Sequence, residues 1–197
     1  MKLPIKLLLY PYFYGRIVIR QIRYKYFRRH KTMIALRLPD VKTMTSQLFV
    51  HEAFDYFLVS EASFTTYCTF MIDGHVKADF YSSEEKEQLR DPVWTDWKTL
   101  RPQCYQLIKG SRLPLSFKII FRLSSQNVEK MLAAASTSFT PADVDGLFLN
   151  IRYDKGALTL VTGTSLKTFT MDKSLEQEWD SMVKRLLKHN AIIFEEA

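Results

Sequence analysis

Cysteine and glycine are scarce in this chain, and one sign of charge is missing from a whole segment of it. Only Cys68 and Cys104 occur among 197 residues. Two thiols make no disulfide framework and stand at no metal-ligand spacing, so they read as small apolar residues in a reducing cytoplasm. With six glycines the sequence holds neither G-x-G-x-x-G nor G-x-x-x-x-G-K-[ST], the loops that cradle phosphates. A metalloprotease helix, a nucleophile elbow and a CxxC are likewise missing. No apolar run reaches the roughly 20 residues of a membrane span; the longest, Leu7 to Tyr14, is broken by Pro11. A secretory leader is not expected, because a longer apolar region and a small-residue cleavage site are lacking. The sequence therefore nominates no catalytic residue, no cofactor and no metal.

The missing charge is acidic. Residues 1–32 hold nine of the 28 Lys and Arg and no Asp or Glu, leaving 19 bases against all 21 acids in the remainder. The formal +7 and the basic pI thus belong to one arm, and the body of the protein is close to neutral. Tyr and Phe interleave in that arm with Arg16, Arg20, Arg23, Lys25, Arg28 and Arg29. It could lie on an anionic membrane surface, or stack on and neutralise single-stranded nucleic acid. The third reading is that Met33 is the true start.

What remains, with 47% apolar and 25% charged residues overall, predicts a single α+β domain over 33–197. Ile34, Leu36 and Leu38 alternate as in a half-buried strand. Pro39 suits a first helical turn with Asp40 beside it, and Val41, Met44 and Leu48 follow at helical spacing. Strands are expected over 56–64, 65–72 and 76–81, with a type I′ turn at Asp73-Gly74. The section 82–115 reads as helical: Ser82 and Glu85 make a capping box, and Trp97, Leu100, Cys104 and Leu107 form a buried stripe that Pro102 kinks or splits. Trp94 and Trp97 read as a core pair, with a ligand-facing role as the competing view.

Residues 116–172 repeat the plan. Phe117, Ile119, Phe121 and Leu123 alternate as a strand, and Ser124 or Ser125 caps a helix bearing Val128, Met131 and Leu132. A meander is expected over Leu147–Tyr153, Ala157–Val161 and Leu166–Met171, with turns at Asp154-Lys155-Gly156 and Thr162-Gly163-Thr164. From Ser174 an amphipathic helix carries Leu175, Trp179, Met182, Val183 and Leu186 on one face, with acids near its start and bases near its end. The tail runs to residue 197.

Two polar groupings stand out. Glu61, Asp73, His75, Lys77 and Asp79 form the densest one, with His75, Lys77 and Asp79 alternating on one strand face. Glu61, His75 and Asp79 could hold a metal; a solvated hairpin face accounts for the same residues. The run Thr162 to Ser165 could cradle a phosphate or simply be a turn.

The halves match in element order and in residues: Arg37-Leu38 with Arg122-Leu123, Val41 and Met44 with Val128 and Met131, Gly74 with Gly163, Phe80 with Phe169. Nearly constant offsets predict two βαβββ units, 33–81 and 116–172, made by internal duplication around the helical insert. In that plan, FRLSSQNVEKML followed by DGLFLNIRYDKGALTLVTGTS resembles a half-domain of the sliding clamps, the processivity factors of DNA polymerases. The resemblance implies a clamp-like fold and, as one reading, a DNA-associated protein. Clamp helices that face DNA are basic, whereas here the two helices offer Lys42, and Lys130 beside Glu129. From Met33 on the chain also resembles an uncharacterised bacterial family of domains of unknown function, which brings no activity with it. The leading expectation is a non-enzymatic binding or scaffold protein that uses sheet edges for a partner or for self-association. The competing one is a small-molecule-binding protein or small enzyme with a site between the second meander and the helical insert.

Overall fold

The computed structural model describes residues 33–135 and 137–197. The basic arm, with Arg16, Arg20, Arg23, Lys25, Arg28 and Arg29, lies outside the described residues. Residues 33–197 form one compact α+β unit. In chain order its elements are β1 (Ala35–Arg37), α1 (Val41–Phe49), β2 (Phe57–Thr65), β3 (Thr69–Asp73), α2 (Ser83–Gln88) and α3 (Trp97–Ile108). There follow β4 (Ser116–Leu123), α4 (Ser125–Ala134), β5 (Val144–Asp154), β6 (Ala157–Leu166), α5 (Ser174–His189) and β7 (Glu195–Glu196). The strands make one seven-stranded sheet in the order β3-β2-β4-β5-β6-β1-β7, with every neighbour antiparallel.

Local chemistry sets the element ends. Asp40 caps α1, accepting from the Thr43 amide at 2.9 Å, so Pro39 stands before the helix and not in its first turn. Ser82 and Glu85 close the expected capping box at 3.2 and 2.8 Å. Asp96 caps α3 through Thr99 at 2.9 Å, and α3 runs unsplit from Trp97 to Ile108 with Pro102 inside it. The β5–β6 hairpin turns on Lys155 and Gly156, with φ of 49° and 86°, between the paired Asp154 and Ala157. These are the two left-handed positions of a type I′ turn.

Alternation along the strands makes the sheet one-sided. Phe117, Ile119, Phe121 and Leu123 of β4 are buried, while Lys118, Ile120 and Arg122 face the other way. The same core face carries Phe64 and Ala62 of β2, Leu149 and Ile151 of β5, Leu158 and Leu160 of β6 and Leu36 of β1. Side chains of α1, α3, α4 and α5 join them in one hydrophobic core. Two tryptophans anchor it. The Trp97 ring lies 5.1 Å from Phe121 and 5.8 Å from Phe49, and its Nε1 donates to the Leu48 carbonyl at 3.0 Å. Trp179 packs against Phe57 and donates to the Phe148 carbonyl at 3.0 Å.

The third strand expected in each meander does not form. Thr162, Gly163 and Thr164, read as a turn, lie inside β6 opposite Leu149, Phe148 and Leu147. Their β-compatible threonines let the long β5 continue its ladder. In the first half the hairpin reverses at residues 66–68, between the paired Thr65 and Thr69, and residues 78–80 coil into a 3-10 turn. Gly74 is not at positive φ. It is required for another reason: a Cβ there would meet the Val59 carbonyl oxygen at 1.8 Å. At this point β2 bulges between Val59 and Glu61, and the strand-like segment around Thr95 enters. The Val59 amide bonds to Thr95 O, the Thr95 amide to Gly74 O, and the Gly74 amide to Ser60 O, at 2.8, 2.8 and 3.2 Å.

The strand pairing gives the duplication no support. β1 pairs with β6 and β7, whereas its expected counterpart β4 pairs with β2 and β5. No twofold exchanges the two halves of this sheet.

Two substitutions test the backbone account. Gly74→Ala lowers stability by roughly 2 kcal/mol or more, because the new methyl meets backbone and not a movable side chain; Gly110→Ala, with open space around it, is near neutral. After α5, Ala191 sits at φ 54° with its amide on Lys188 O and the Ile192 amide on Leu187 O, a Schellman close in which glycine is at home. Ala191→Gly therefore stabilises by about 0.5 to 1 kcal/mol. Urea denaturation of the full chain measures all three.

Candidate functional site

Among the described residues β3 is an outer strand with β2 as its one neighbour. Around it the surface is apolar: Tyr67 is 90% exposed, Leu113 82%, Met71 77% and Leu115 65%. Tyr67, Leu113 and Leu115 line an open hollow of about 540 Å³ together with Leu107 and Ile108, and Lys109 and Arg112 edge it. The Leu115 amide on Thr65 O at 2.8 Å holds the loop after α3 against the β2–β3 hairpin. These exposed apolar side chains lie beside a strand edge that is unpaired among the described residues.

At the other end of β3, three of the five residues of the polar cluster meet. Asp73 accepts from His75 Nδ1 at 2.6 Å, from the His75 amide at 3.1 Å and from Lys77 Nζ at 2.8 Å. Lys77 first, and His75 after it, hold the Asp73 carboxyl well below the usual carboxylate range. Glu61, the cross-strand partner of Asp73, turns instead to Lys118 at 3.2 Å. Asp79 lies on the 3-10 turn, away from these bonds, because the chain coils where an alternating strand was expected. Among the described residues no three His, Cys, Asp or Glu side chains converge on a metal position.

A stack of rings and one guanidinium ties this corner to the sheet. The His75 ring lies 4.0 Å from Trp94, Arg122 lies over Trp94 at 5.7 Å and over Phe148 at 5.4 Å, and Arg122 donates to the Asp145 carbonyl. Trp94 and Trp97, read as a core pair, thus part company. Trp97 reaches the core-face Phe121, while Trp94 covers the Arg122 and Phe148 side. Sequence reasoning missed Arg122, whose place in an ordinary alternation carries no local signal of a partner 28 residues upstream. The space beside Asp145 and Gly146 is only about 50 Å³. A cavity of about 270 Å³ near Tyr81, Gln88 and Thr99 takes no lining from residues 145–172.

Close ion pairs lie on the open sheet face. Lys118 meets Glu61, and Arg152 meets Asp154 at 3.2 Å.

The Asp73 hub has a pH signature. Its lowered pKa stabilises the fold fully above the ordinary carboxylate value of 3.8, and that contribution is lost progressively as pH falls below it. Asp73→Asn should therefore cost stability near neutrality and converge on the parent protein in acid. Denaturation curves at several pH values check this; a stability gap independent of pH would refute it.

No curated protein and no solved structure matches the chain. Among the described residues no helix is long and apolar enough to cross a membrane. A model described as "Family of unknown function (DUF5721)" matches residues 47–195, from within α1 to the first residue of β7. The chain therefore belongs to this family of unknown function.

Proposed function

We propose that this protein is a non-enzymatic binding or scaffold protein of the bacterial cytoplasm that pairs with a second copy of itself along the outer edge of β3. The observation that carries the reading is the contrast between the two ends of the sheet. At one end β7 is two residues long and both are glutamate, with Lys184 Nζ bonded to Glu196 at 2.5 Å; shortness and charge are the usual guards of an edge. At the other end β3 reads Thr-Phe-Met-Ile-Asp, with no proline, lysine or bulge in it.

A twofold antiparallel pairing centred on Met71 would set Phe70 opposite Ile72 and Thr69 opposite Asp73, with no like charges facing. The exposed Met71 and Tyr67 would be covered at the same time. The exposed free thiol of Cys68, on the hairpin beside this edge, fits a reducing compartment.

Sedimentation of the full chain from about 1 to about 100 µM tests the proposal in the range of ordinary protein association. A concentration-dependent dimer is expected. Met71→Lys, which sets two ammonium groups against each other, should weaken it at least about tenfold while leaving the melting temperature unchanged, since Met71 is exposed. A strictly monomeric parent protein, or a dimer indifferent to the lysine, overturns the assignment.

A further inference from the structure

α4 and α5 both pack on the core face and line an open groove of about 490 Å³. The buried stripe of α5, Leu175, Trp179, Val183 and Leu187, is spent on the core. The neighbouring stripe, Glu178, Met182 and Arg185, faces the groove at spacings of four and three residues. From α4 come Lys130, Met131 and Ala134, and the ring of Tyr56 closes the apolar lining. The volume is in the range of small-molecule sites.

The polar groups of the groove are unequal in sign. Glu178 is the one acid of its lining, and Arg185 Nη2 already holds it at 2.7 Å. Arg90 spends Nη1 and Nη2 on the carbonyls of Asp55 and Tyr56, at 3.0 and 2.9 Å. Those bonds fix the guanidinium in place without cancelling its charge. The Lys130 side chain, on α4, makes no hydrogen bond or ion pair with the described residues. The Tyr56 ring stacks on Phe57 at 4.4 Å, and burial raises its hydroxyl above the ordinary tyrosine value, so the hydroxyl stays protonated and able to donate. An apolar trough with surplus cations at its rim suits a ligand of the same division.

The geometry points to a binding site for a medium-chain amphiphilic carboxylate, its alkyl chain on Tyr56, Met131, Ala134 and Met182 and its head on Lys130 and Arg90. At about 30 Å³ for each water-sized group, a chain of roughly ten carbons fits the groove. Charge complementarity decides the head: a neutral alcohol would leave the lysine and the arginine as they are, whereas a carboxylate gains charge-assisted hydrogen bonds from both.

The test is calorimetric titration of the full chain with decanoate, 1-decanol and acetate, followed by the methyl resonances of Met131 and Met182. Decanoate should bind once per chain and shift both methyls. The alcohol and acetate should each bind at least about tenfold more weakly, the loss of roughly one charge-assisted contact or of the alkyl burial. Lys130→Glu should lower decanoate affinity at least about tenfold, with the fold verified by an unchanged melting temperature. Ala134→Phe, which fills the trough without touching its charges, should abolish binding. Absence of decanoate binding, many weak sites per chain, affinity indifferent to Lys130→Glu, or methyl shifts elsewhere would each overturn the site. None of these readouts depends on β3 pairing.

Discussion

A seven-stranded antiparallel sheet is stable here because one of its faces is sealed, and the seal is fixed by two indole N–H groups. Trp97 and Trp179 are both fully buried, and a buried indole left without an acceptor would cost about 1 to 3 kcal/mol. Each finds a carbonyl on another element: Leu48 at the end of α1 for Trp97, Phe148 in β5 for Trp179. These bonds tie α3 to α1 and α5 to the sheet, so ring packing and hydrogen bonding select the same arrangement. The stacked Phe54, Phe57 and Phe121 between them depend on both helices being where the indoles hold them.

The opposite face follows a different rule. It carries polar pairs such as Lys118–Glu61 and Arg152–Asp154 beside the apolar Met71 and Ile120, and at one corner the segments around His75 and Trp94 fold back over it. That return needs three local concessions at one level of β2: the bulge at Ser60, the bare Cα of Gly74 against Val59, and the insertion of Thr95 between them. Trp94 then lands on Arg122, whose charge is met by two rings and one carbonyl. The chain passes from this corner to the core face within three residues, which is why two nearby tryptophans take opposite roles.

What was legible in the sequence was the chemistry that acts over a few residues. The Ser82–Glu85 box, the Lys155-Gly156 turn, the alternation of β4 and the amphipathic α5 all form as the local pattern requires. The errors come where a local signal was read without its neighbours. Asp73-Gly74 has turn chemistry, yet the glycine answers to a close approach by Val59. Thr162-Gly163-Thr164 has it too, yet a long partner strand was there to pair with. Of the polar cluster, His75 and Lys77 reach Asp73 because they are two and four residues away; Glu61 was lost to Lys118, 57 residues on in the chain. The groove between α4 and α5 was beyond reach, since its walls are remote in sequence and only packing brings them together.

The order of the sheet explains why one edge is left unpaired among the described residues. β1, at the start of the domain, pairs with β6, and β7 adds to its far side. The two chain ends of the domain thus meet at one border, where the C-terminal glutamates blunt it. β3, a hairpin arm from mid-chain, has no strand on its outer side among the described residues; residues 93–96 pair instead with Leu58 and Val59 of β2 and with residues 74–76. Residues 33–197 are nearly neutral in formal charge, so long-range attraction can do little to select a partner there. Backbone hydrogen bonds and the apolar side chains of Tyr67 and Met71 are what that border has to offer, and both act only at contact.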